Sequence, residues 1–104
     1  MIPFQEQVQA AIRLLIQNFN PQRIVLFGSV SKGCARIDSD IDLCVVLPCV
    51  DKKVMGMNMQ LELCKVIDRD IDLLILTPDE WECNKDNPAT FTGLIQRTGV
   101  VLHG

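Results

Sequence analysis

Apolar residues recur at three- and four-residue steps between positions 4 and 19, where Val8, Ile12, Leu15, Ile16 and Phe19 share one side of a helix. Asn20-Pro21 ends that helix. Three short apolar runs follow, each with the length of a buried strand: Ile-Val-Leu-Phe-Gly at 24–28, Asp-Ile-Asp-Leu-Cys-Val-Val-Leu at 40–47, and Asp-Ile-Asp-Leu-Leu-Ile-Leu at 70–76. Pro48 stops the second and Thr77-Pro78 the third. Between them, residues 51–67 read as a helix with Asp51 as its N-cap. This helix carries two apolar stripes. Val54, Met57, Leu61 and Cys64 are expected to face the sheet, with Met55, Met59, Leu63 and Val66 on the other side. The second stripe either packs under the C-terminal helix or, as predicted here, lines a homodimer or partner interface through Met55, Met59 and Leu63. A short helix around Pro78–Cys83, a helix over 88–98 with Pro88 near its start and Gly99 past its end, and an edge strand over Val100–His103 complete the chain.

Connection lengths then predict the topology. The polar link between Gly28 and Asp40 suits an antiparallel neighbour, whereas a helical connection between the second and third strands makes them parallel. The expected architecture is α/β (α+β), a small mixed sheet with flanking helices, as one domain over 1–104. In this arrangement the end of the first strand and the starts of the next two share one edge, so Gly28-Ser29, Asp40, Asp42 and Asp72 converge.

The acidic strand starts carry the candidate chemistry. Residues i and i+2 of a strand share a face, which pairs Asp40 with Asp42 and Asp70 with Asp72. Carboxylates this close repel unless a cation lies between them. An oxygen-only donor set favours Mg2+ or Mn2+ over zinc, and paired carboxylates can hold two metals for in-line attack on phosphorus. Gly28 permits close backbone approach to a phosphate, and the adjacent amides with the Ser29 hydroxyl can bind its oxygens. Other phosphate and metal motifs fail. Gly28 and Gly33 have Walker A spacing, but Cys34-Ala35 stands where Lys and Ser/Thr are required. Asp38, Asp40 and Asp42 start like an EF-hand, yet Leu43 and Cys49 replace its glycine and glutamate.

Composition narrows the partners. The 104 residues are 48% hydrophobic, ample for a core and consistent with an oligomer or a protein partner. A net charge of -3 argues against general nucleic-acid binding while allowing a nucleotide ligand whose phosphates are offset by metal. Five cysteines, with no CxxC and one histidine, suggest buried free thiols rather than zinc or disulfides. No apolar run suits a membrane span, so the cytoplasm is the expected compartment.

Taken whole, Gly28-Ser29, then Gly33, then Ser39-Asp40-Ile41-Asp42-Leu43 resembles the GS-x3-G-x5-SDxDL motif of the DNA polymerase beta-like nucleotidyltransferase superfamily. Ile71-Asp72-Leu73-Leu74 falls where that family keeps its third carboxylate, and Gly99-Val100-Val101-Leu102 looks like the C-terminal end of its minimal nucleotidyltransferase (MNT) members. The resemblance implies that Asp40, Asp42 and Asp72 ligate two Mg2+ ions, with Asp72 also assisting the attacking hydroxyl. Gly28, Ser29 and Ser39 would bind the nucleotide, and Lys32 or Arg36 would neutralise phosphate charge. Asp70 is the alternative third ligand; Asp72 is favoured because Asp72-Leu73-Leu74 repeats the order of Asp42-Leu43-Cys44. By the same resemblance, AMP from ATP would pass to an acceptor hydroxyl, on a partner HEPN toxin for which this chain would be the antitoxin. The alternative is a non-catalytic antitoxin or binding module acting by complex formation.

Overall fold

The computed structural model describes residues 4–27, 41–67 and 71–104. Its elements, in chain order, are α1 (Phe4–Phe19), β1 (Arg23–Phe27), β2 (Ile41–Val46), α2 (Lys52–Leu63), β3 (Ile71–Leu76), α3 (Pro78–Asn84), α4 (Phe91–Thr98) and β4 (Val100–His103). Among the described residues the strands form one mixed sheet in the order β3-β2-β1-β4. β1 pairs antiparallel with both β2 and β4, and β2 pairs parallel with β3, as the connection lengths predict.

α1 ends where Asn20 adopts a left-handed conformation (φ 49°) and donates its N–H to the carbonyls of Leu15 and Ile16, a C-terminal cap for which asparagine is suited. Its buried stripe, Val8, Ala11 and Leu15, packs on one face of the sheet with Ile24, Leu26, Leu43, Val45, Ile71 and Ile75. α2 begins at Asp51, whose carboxylate accepts from the N–H groups of Lys53 (3.0 Å) and Val54 (3.2 Å). It stops at Leu63, short of the expected Ile67, and residues 64–66 form turns.

The phase of α2 reverses the expectation. Met59 and Leu63 are fully buried in the core shared with α1, and Met55 and Val66 pack against it half-buried. Val54, Met57 and Leu61 are instead 50%, 57% and 61% exposed. Met59 and Leu63 therefore belong to the interior and Met55 packs against it, so the stripe expected at an interface is not an exposed face. Both stripes satisfy the helical period, so spacing reveals two apolar faces without saying which one meets the sheet. Gly56 helps decide it: it is half-buried, and a β-carbon there would sit 3.9 Å from Ile75, so this side of the helix lies against β3 and turns Met57 and Leu61 outward.

The other face of the sheet carries α3 and α4. Thr77 and Glu80 form a reciprocal capping box, with Pro78 in the first turn of α3. Lys52, from the first turn of α2, hydrogen-bonds Glu80 and holds its carboxyl below the usual range, helped by the Thr77 backbone N–H. α4 starts at Phe91 rather than Pro88, because Thr90 takes the N-cap, accepting from the Gly93 N–H at 3.0 Å. Gly93 is required by close approach: a β-carbon there would lie 2.0 Å from the Asn87 carbonyl oxygen. Trp81 and Ile95 close a second core cluster over Val25, Cys44, Val46 and Leu76. The Arg23 guanidinium lies 5.3 Å from the centre of the Trp81 ring.

The burial of α2 predicts unequal costs for its two leucines. Leu63→Ala should destabilise the fold by about 2–5 kcal/mol, while Leu61→Ala should cost about 0.5 kcal/mol or less. Urea denaturation of both variants measures this, and the opposite order would contradict the observed phase.

Candidate active site

The strand register assembles the site. Asp42 of β2 is the Cα partner of Phe27 on β1 and of Asp72 on β3. Directly paired residues project to the same side of a sheet, and adjacent strands lie about 4.8 Å apart. Two residues further along each strand stand Val25, Cys44 and Leu74, whose side chains pack in or against the second core cluster. Phe27, Asp42 and Asp72 thus share the α3/α4 face, at the end where β1 finishes and β2 and β3 begin. Asp42 is half-buried and Asp72 exposed.

Of the other residues expected at the site, Gly28, Ser29, Lys32, Arg36, Ser39, Asp40 and Asp70 lie outside the described residues. Gly28 directly follows β1 in sequence and Asp40 directly precedes β2. Among the described residues no cluster of three or more metal-ligating side chains occurs; Asp42 and Asp72 stand as a pair. In the sequence Phe27 is marked only as a strand residue. Its position opposite Asp42 follows from the antiparallel register, which a single strand does not reveal.

The donor chemistry suits a hard divalent cation. Asp42 and Asp72 offer only oxygens. Cys44 is on the same face, but burial pushes its thiol up to about 12, so it stays protonated and is a poor ligand. Two ionised carboxylates brought together repel, and a cation between them would reverse the sign.

The family model described as polymerase beta nucleotidyltransferase matches residues 9–103. The chain belongs to this nucleotidyltransferase family. The solved structures agree with the fold. A toxin–antitoxin solved with AMP-PNP is 26% identical with a TM-score of 0.67, over 98% of this chain and 74% of the other. A mutant MntA–HpeT toxin–antitoxin is 27% identical with a TM-score of 0.64, over 93% and 72%. An MntA–HepT toxin–antitoxin, 24% identical with a TM-score of 0.61 over 96% and 72%, shares the fold. A comparison with curated proteins found no match. Among the described residues, no helix of this nucleotidyltransferase is long and apolar enough to cross a membrane.

The carboxylate pair predicts a metal-dependent stability difference. Without divalent cations, Asp72→Asn should be at least as stable as the wild type, because removing one of two neighbouring carboxylates relieves repulsion. Millimolar Mg2+ should raise the melting temperature of the wild type more than that of Asp72→Asn. Thermal denaturation with and without Mg2+ checks both; an equal Mg2+ response in the two proteins would separate Asp72 from metal binding.

Proposed function

We propose that this nucleotidyltransferase transfers AMP from ATP to an acceptor hydroxyl with Mg2+ bound, and that the acceptor lies on a HEPN-type toxin for which the chain is the antitoxin. The reading rests chiefly on the register that sets Asp42 beside Asp72 on an accessible sheet face. Family membership supports nucleotidyl transfer. The similarity to toxin–antitoxin structures, one of them with AMP-PNP, supports the partner and the nucleotide.

Asp40, Asp42 and Asp72 would hold two Mg2+ ions, which when bound supply charge neutralisation at the triphosphate and lower the pKa of the attacking hydroxyl. Asp42, central in the register between Phe27 and Asp72, would hold metal there, since a carboxylate alone repels a phosphate. Asp72, exposed at the edge strand, accepts the proton of the acceptor hydroxyl. The acceptor oxygen forms its bond to the α-phosphorus as the bond to pyrophosphate breaks. Gly28, Ser29 and Ser39 bind the departing phosphates, and Lys32 adds positive charge to them. Catalysis of this kind is mostly alignment and charge stabilisation, which a rigid strand pair is suited to supply.

Incubating the protein with α-labelled ATP, Mg2+ and its cognate partner should place label on the partner. Asp42→Asn should lower the rate by about 100-fold or more while leaving complex formation with the partner intact. A stable complex that never acquires label, with any of the four nucleotides, would replace this reading with that of a non-catalytic antitoxin.

A further inference from the structure

The second core cluster does not end at Phe27. The Phe27 ring meets that of Phe91, the first residue of α4, edge-to-face, with centroids 5.7 Å apart and planes at 86°. Phe91 is 56% exposed. Among the Phe and Trp side chains described, Trp81 is buried, Phe19 and Phe27 are half-buried, and Phe91 is the exposed one. An edge-to-face contact engages at most one face of the Phe91 ring, and more than half of the residue stays exposed. Leu94, one turn further along α4 and 43% exposed, extends the same apolar strip. The strip is tied to the carboxylates through Phe27, which pairs with Asp42 across β1 and β2.

We propose that Phe91, braced by Phe27, is the stacking platform for the base of the nucleoside triphosphate. This rests on the nucleotidyltransferase reading and adds a binding subsite to it. The carboxylate end of the sheet face suits a metal-bound polyphosphate, which is hydrophilic and anionic. A nucleotide also has a flat, apolar end that gains from leaving water, and an open aromatic ring accepts it. Every base presents a π-face, so stacking of this kind supplies affinity with little discrimination among bases. The position also explains why a large aromatic residue is tolerated on the surface at the first turn of α4. Thr90 and Gly93 fix that turn through the N-cap hydrogen bond, so the ring is presented from an ordered backbone rather than a mobile loop.

Calorimetric titration of the full chain with AMP-PNP and with inorganic tripolyphosphate, both with Mg2+, tests the proposal. Phe91→Ala and Phe91→Leu should each weaken AMP-PNP about tenfold and leave tripolyphosphate affinity unchanged, while Phe91→Tyr keeps wild-type affinity for both. The leucine variant retains apolar contact with Phe27, so a loss there reports the ring and not the packing. Unchanged AMP-PNP binding by Phe91→Ala would overturn the platform while leaving the nucleotidyltransferase reading in place. Parallel loss of AMP-PNP and tripolyphosphate would overturn it too, by assigning Phe91 a structural role. A wild-type protein that binds neither compound would defeat the underlying reading, and the platform with it.

Discussion

Asp42 and Asp72 are neighbours because β2 and β3 pair in an unshifted parallel register from Ile41 and Ile71 to Val46 and Leu76. That register is held by apolar packing. Ile71, Leu73 and Ile75 alternate toward the core beneath α1 and α2, so the intervening Asp72, Leu74 and Leu76 face the other way. A slip of one residue would exchange the two sets. It would send Asp72 into the core and bring Leu73 out in its place. The hydrophobic alternation that fills the interior therefore also places the carboxylates, without any attraction between them.

The two faces of the sheet have different roles. One is covered by α1 and α2 and contains the larger core cluster, where Leu15, Ile24, Leu43, Met59 and Leu63 are almost wholly shielded from water. On the other, Trp81 and Ile95 seal Cys44 and Val46, while the carboxylate end stays accessible at Asp72. Burial next to the site keeps Cys44 a neutral thiol, so the donors offered to a metal remain oxygens. α2 serves both faces: it makes the crossover that β2 and β3 need to run parallel, and through Lys52 it reaches Glu80 of α3.

Much of this was legible in the sequence because it rests on local rules. The strand limits follow Pro48 and Thr77-Pro78, the Asp51 cap was visible as an acidic residue before an apolar-periodic run, and the antiparallel and parallel pairings followed from connection lengths. The pairing of Asp42 with Asp72 was legible in outline from the repeated Asp-Ile-Asp-Leu string. What escaped depends on which of two equivalent faces turns inward. Val54, Met57 and Leu61 form as good a stripe as Met55, Met59 and Leu63, and what separates them is the fit of the folded parts, including Gly56 against Ile75. The contact between Phe27 and Phe91 was equally hidden, since it joins residues 64 positions apart on elements that meet only in the folded chain. The start of α4 was misplaced for a local reason: Thr90 competes with Pro88 for the first turn and wins through its hydrogen bond to Gly93.

Crystals of the protein equilibrated with Mn2+ and measured by anomalous diffraction at the manganese edge would show whether Asp42 and Asp72 share a cation. An anomalous peak bridging the carboxylates of Asp42 and Asp72 is the predicted result. Mn2+ bound elsewhere, with none at these two carboxylates, would show that the β2–β3 register does not build a metal site.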